Sequence, residues 1–94
     1  MPDPESDLEA RKRRIRFRAG HRGMKETDLL FGRLAAEVLD ELDEPGVAAF
    51  ERLLDVPDVE VVSWVSGNAE VPREHAGPLV DRLLSYRFDT DSYG

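Results

Sequence analysis

The residues best suited to chemistry lie close together: His21, Arg22, Gly23, Lys25, Glu26 and Asp28. Arg22 offers a planar guanidinium that can fork onto a carboxylate or a pair of carbonyls. Glu26 follows four residues later, the spacing of an exposed helical ion pair worth about 0.3–0.5 kcal/mol. Gly23 makes that pairing less automatic, because a glycine beside the arginine lets another backbone approach closely. These residue types leave two readings open, a surface ion pair or a recognition site. The two histidines, His21 and His75, show no local carboxylate or nucleophile partner of the sort acid–base or nucleophilic catalysis needs, and surface or capping roles are expected for both.

Other chemistries find less support. There is no cysteine, which removes disulfides, thiolate zinc sites and cysteine nucleophiles. No motif has recognised metal-ligand spacing, and the calcium-loop pattern is absent. Glu37, Asp40, Glu41, Asp43 and Glu44 crowd the end of one predicted helix and read as a solvated acidic face. Acids there oppose the helix dipole, which points to a use besides helix stability. A flavin-carrier reading would require a glycine-rich strand–turn–helix fingerprint, which the chain lacks.

The formal net charge of -7 conceals an asymmetry. Residues 11–25 hold eight basic side chains and no acid, whereas residues 26–94 hold five basic and sixteen acidic ones. The basic stretch has three readings: nucleic-acid binding, docking to an acidic protein, or neutralisation within the chain. The acidic remainder argues against nucleic acid, because it would repel phosphates. The runner-up function is a small regulatory or nucleic-acid-associated protein using the basic first helix.

The elements that must position these residues follow from apolar periodicity. Ninety-four residues with 40% apolar and 35% charged side chains fit one domain with a modest core. A first helix is predicted from a cap at Asp7 to about Arg18, with Leu8, Ile15 and Phe17 as its thin apolar content. Gly20 and Gly23 then break it. The second helix runs from about Met24 to Leu42, with Leu30, Phe31, Leu34, Val38 and Leu42 on one stripe. Pro45 opens a third, carrying Val47, Phe50, Leu53 and Leu54. Residues 58–66 have strand propensity, yet Asp58 as a cap, the shared face of Val61, Trp64 and Val65, and Gly67-Asn68 favour a short helix. The last helix spans about Pro72 to Arg87, and Pro78 demands either a kink or a restart near Gly77. Phe31, Phe50 and Trp64 belong to the core. The predicted fold is all-α, a small single-domain bundle. Residues 1–9 form an acidic disordered tail, 10–87 the helical domain and 88–94 a frayed tail.

No stretch approaches the ~20 apolar residues that cross a bilayer, so membrane insertion is not expected. The acidic start resembles neither a secretory signal nor a transit peptide, and a bacterial cytoplasmic location is expected.

Three ordered blocks carry a resemblance over roughly residues 10–87. Arg22-Gly23-Met24-Lys25-Glu26-Thr27-Asp28, followed by Phe31-Gly32, resembles the signature of the SdhE-type flavinylation factors, the FAD assembly factors of succinate dehydrogenase. Phe50-Glu51-Arg52-Leu53-Leu54 is similar to a second family block, and Asp58, Val61, Trp64 and Gly67 fall on a third. His21 departs from the family, standing where a second basic residue is usual, and Pro78 is also unusual. The resemblance implies a five-helix bundle that is not an enzyme. It implies a partner, the flavoprotein subunit of succinate dehydrogenase and in some cases that of fumarate reductase. It also implies that no cofactor is held stably, FAD belonging to the client. Arg22, Gly23 and Glu26 fall on the family's Arg-Gly-x-x-Glu motif and are the expected contacts, with Arg22 as the desolvated anchor. Asp28, His21 and Lys25 are weaker candidates. A monomer is expected.

Overall fold

The computed structural model describes residues 4–91, with side chains described for residues 7–86. Among these residues the elements are α1 (Pro4–Ala19), α2 (Lys25–Val38), α3 (Glu44–Leu54), α4 (Asp58–Ser66) and α5 (Pro78–Asp91). Short 3-10 turns at Leu39–Glu41 and Arg73–His75 complete the set, and no strand occurs among the described residues. The five-helix all-α expectation therefore holds. Residues 58–66 are helical despite four valines and a tryptophan, because Val61 and Trp64 fall on one buried face. Gly67 closes that helix at φ 82°, the left-handed geometry a glycine cap supplies.

α1 packs on α2 and α3, while α5 packs on α2 and α4. Ile15, Phe31, Leu34, Leu39, Val47, Phe50, Leu53, Val61 and Leu83 are each at most 1% exposed and form one core. Burying side chains of this size contributes roughly 1.5–3 kcal/mol each before entropy is counted. Trp64 is buried with them, as its helical stripe predicts.

Several boundaries differ from expectation. α1 starts at Pro4, ahead of the predicted cap at Asp7, and α5 continues to Asp91. The expected tails reach residues 1–3 and 92–94, which lie outside the described residues. α2 gives way to a 3-10 turn after Val38, which tightens the chain and carries Leu39 fully into the core while Leu42 is only partly buried. Of the two expectations for Pro78, the restart near Gly77 holds. Pro78 is the first residue of α5, where its missing N–H has no intrahelical partner to lose. Pro45 is the second residue of α3, also within the first turn, and the Asp43 carboxylate caps that helix by accepting from Gly46 N at 3.1 Å.

The crowded acids at the end of α2 are exposed, as expected of a solvated face, but several of them also pair across the bundle. Glu37 bonds Tyr86 and Arg82 of α5, Asp40 pairs with Arg16, and Glu44 lies 3.8 Å from Arg11. Lys12, 4% exposed, donates to the Asp40 carbonyl at 3.1 Å and so places a cation at this helix end. Arg11 also forks onto Glu51 at 2.6 and 3.3 Å, and Arg18 bonds Asp55 at 2.9 Å. Much of the basic charge of α1 is therefore neutralised by the chain's own acids, and Arg13 and Arg14 remain on the exposed side.

Candidate docking site

The bend between α1 and α2 is built from its ends inward. His21 N bonds the Arg18 carbonyl at 3.2 Å, which closes α1. Met24 takes extended geometry as the N-cap of α2 and makes no side-chain cap bond. The Met24 carbonyl accepts the first intrahelical bond, from Asp28 N at 2.9 Å, and also the Thr27 hydroxyl at 3.1 Å. Glu26 and Asp28 place negative charge at the positive end of the helix dipole. Between these ends, Gly23 sits at φ 107°, a conformation that side-chain-bearing residues rarely adopt.

The six predicted residues divide by orientation. His21, Gly23, Lys25 and Glu26 are exposed. Among the described residues, Glu26 has no ion-pair or hydrogen-bond partner for its carboxylate, so the Arg22–Glu26 surface pair, one of the two readings left open, does not form. Asp28 turns back into the bend, where its carboxylate accepts the Arg22 backbone N–H at 2.6 Å. Arg22 also points inward, its side chain only 8% exposed. Its Nε donates to Asp58 Oδ1 at 2.6 Å, Nη1 to the Leu54 carbonyl at 2.8 Å and Nη2 to the Val56 carbonyl at 2.5 Å. The guanidinium carbon lies 4.4 Å from the centroid of the Phe31 ring.

Arg22, expected as a desolvated partner anchor, is thus desolvated against the α3–α4 side of its own chain. The carbonyls at the end of α3 are the negative pole of that helix, and Asp58 stands at the start of α4, so the cation fits where it lies. The expected role of Asp58 is corrected. The N-cap position of α4 is Pro57, and the Asp58 carboxylate serves Arg22 rather than its own helix. Sequence reasoning missed that partnership because the two residues are 36 apart.

The outer face of the bend combines charge with apolar surface. Phe17 is 66% exposed and stacks on His21 with ring centroids 4.1 Å apart, and His21 Nδ1 lies 2.7 Å from the Phe17 carbonyl oxygen. Phe17 therefore contributes little to the core. Met24 and Leu29 are exposed as well. An open groove of about 380 Å³ beside Arg22 is lined by Phe17, His21, Asp55 and Pro57 among others. His75 lies elsewhere, its ring 5.7 Å from that of Trp64. No group of three or more potential metal ligands occurs among the described residues.

Fold and bend together define a small helical module that presents one braced polar loop. The chain belongs to the family described as the flavinator of succinate dehydrogenase, whose model matches residues 13–87. It is 38% identical over 80 residues to the FAD assembly factor SdhE of Acetobacter pasteurianus, covering 85% of this chain and 73% of that protein. The FAD assembly factor SdhE of Idiomarina loihiensis is 35% identical over 74 residues, 79% of this chain and 81% of the relative. The mitochondrial succinate dehydrogenase assembly factor 2 of Dictyostelium discoideum is 29% identical over 89 residues, 95% of this chain and 62% of the relative.

Proposed function

We propose that this chain is an assembly factor that docks on the flavoprotein subunit of succinate dehydrogenase and promotes covalent attachment of FAD to it. The observation that carries this reading is the family match across the helical body, joined to the exposed Gly23, Lys25 and Glu26 on the braced bend. FAD stays with the client, which performs the bond formation. The factor itself is not an enzyme. It acts as a monomer in the bacterial cytoplasm, and the related fumarate reductase flavoprotein is a second client.

The mechanism is a shift of population. A factor that binds one client conformation more tightly favours that conformation by the difference in affinity. If the favoured state holds FAD against its acceptor residue in a reactive geometry, attachment speeds up without any catalytic group from the factor. A standard interface takes about 800 Å² from each partner. The exposed Phe17, His21, Met24, Lys25, Glu26 and Leu29 around the bend would form part of it. Glu26 supplies an unpaired carboxylate for a cationic group of the client, and Gly23 admits its backbone.

The test mixes the factor with apo and FAD-loaded flavoprotein subunit and follows covalent flavin by in-gel fluorescence. Glu26→Ala should slow flavinylation and weaken client binding. Unchanged flavinylation and binding with Glu26→Ala and with a bulky replacement at Gly23 would sink the proposal. The competing nucleic-acid reading is weakened by the pairing of Arg11, Arg16 and Arg18 with the chain's own acids. It predicts an affinity for duplex DNA that falls steeply with salt, and no such affinity is expected.

A further inference from the structure

Arg22 lies on the docking loop, but its charge is used inside the chain. Each of the three guanidinium nitrogens donates to an acceptor on the α3–α4 side: Asp58, the Leu54 carbonyl and the Val56 carbonyl. The ring of Phe31 covers one face of the group. The Arg22 and Asp58 side chains are 8% and 17% exposed. For Arg22 to reach a partner, the guanidinium would have to leave three acceptors and strand the Asp58 carboxylate, a half-buried charge with its counter-ion gone.

We infer that Asp58 is a positioning residue for the docking loop, holding Arg22 so that Gly23, Lys25 and Glu26 keep the height and angle at which a partner meets them. The inference rests on the docking reading above. Its physical basis is the weakness of the loop without this lock. Gly23, at φ 107°, is one of two glycines in the bend, and the Met24 N-cap ahead of α2 makes no side-chain bond. The loop's own ties are all local: the Gly20 and His21 N–H groups and His21 Nδ1 on the end of α1, the Asp28 N–H and Thr27 hydroxyl on the Met24 carbonyl, and the Arg22 N–H on Asp28. The fork of Arg22 adds three bonds to a different part of the bundle, which converts a local bend into a fixed surface. Asp58 belongs to α4, outside the loop's own sequence, yet it sets the loop's shape.

The experiment measures affinity for the purified flavoprotein subunit alongside backbone amide spectra of the loop. Asp58→Asn keeps the volume and one acceptor but removes the charge; it should weaken client binding about tenfold, the scale of one charge-assisted hydrogen bond. The amide signals of Gly23, Lys25 and Glu26 should shift with it, at a temperature where thermal unfolding shows the variant folded. Arg22→Lys should not restore binding, because an ammonium cannot fork onto three acceptors. The double variant Arg22→Ala/Asp58→Ala should bind no more weakly than Arg22→Ala alone, since the two act as one unit.

Losses that multiply in the double variant would overturn the inference, as would Asp58→Asn binding with native affinity and unshifted loop signals. If Glu26→Ala weakens binding while Asp58→Asn changes neither binding nor spectra, the lock fails and docking stands. If both leave binding unchanged while Asp58→Asn moves the loop signals, the lock on the loop stands and the docking reading fails.

Discussion

Tyr86 donates its hydroxyl to Glu37 Oε1 at 2.6 Å, which ties α5 to α2 across 49 residues of sequence. The same carboxylate accepts from Arg82 at 3.0 and 3.2 Å and, through its other oxygen, from Arg33 at 3.1 Å. The Arg33 guanidinium in turn lies 4.2 Å from the centroid of the Tyr86 ring. One acid thus serves three donors, two of them on α5.

This arrangement predicts an acid-sensitive docking of α5. The Tyr86 hydroxyl first, then Arg33 and Arg82, hold the Glu37 carboxyl down from its ordinary 4.5 to about 2. A depressed folded-state value stabilises the fold above the ordinary one and loses that contribution as pH falls through the depressed one. The Tm difference between the native protein and Glu37→Gln should be full above about pH 4.5 and shrink steadily towards about pH 2. Thermal unfolding followed by circular dichroism across that window checks it. A difference independent of pH would remove the assignment.

A second prediction concerns the start of α3. Asp43→Ala removes the carboxylate that accepts from Gly46 N and should destabilise the protein by about 1 kcal/mol. For a domain of this size that is a fall in Tm of roughly 4–8 °C. Asp43→Asn should stay close to native, because asparagine caps equally well. Equal losses from both variants would mean that charge, not the cap bond, matters there.

The sequence made the local parts of this fold readable and hid the distant ones. The stripe of Leu30, Phe31 and Leu34, the first-turn prolines Pro45 and Pro78, and the Gly67 cap all follow from spacing within a turn or two, and all are found. The acids between Glu37 and Glu44 are exposed as read, but their ion pairs were hidden because the cations on α1 and α5 are far away in sequence. Asp58 read as a helix cap for the same reason. Its partner Arg22 reaches it only after α1, α2 and α3 have packed. The location of the candidate site was legible as the Arg22–Asp28 stretch. The orientation of its side chains was not, since spacing alone cannot say that Arg22 and Asp28 turn inward while Glu26 turns out.

Glycines at two positions should respond with opposite signs. Gly23 has open space for a Cβ but sits at φ 107°, so Gly23→Ala should destabilise by about 1–2 kcal/mol through the backbone alone. Gly32 lies inside α2 with equal space and no positive φ, so Gly32→Ala should stabilise by about 0.5–1 kcal/mol. Urea unfolding of the two variants checks both signs. If Gly32→Ala also destabilises, the helix at that point is limited by something other than glycine's backbone entropy.

Lys12 gives the sharpest stability contrast. Its side chain is 5% exposed, with the ammonium 3.1 Å from the Asp40 carbonyl and 3.9 Å from Glu9. Burying an ammonium carries a desolvation penalty of several kcal/mol, which its partners only partly repay. Lys12→Met keeps the length and apolar contacts of the stem while removing that penalty. It should fall within about 1 kcal/mol of native, since well-packed apolar replacements of buried charges are often neutral. Lys12→Glu is different in kind. It would bury a carboxylate against a carbonyl oxygen, beside Glu9 and at the negative end of α2. A stranded buried charge costs about 3–5 kcal/mol, a large share of the roughly 5–15 kcal/mol that holds a small domain folded. Guanidinium unfolding should therefore place Lys12→Met near native and Lys12→Glu far below it. Similar midpoints for the two would show that residue 12 stands in water and that α1 does not seat on the end of α2 as described.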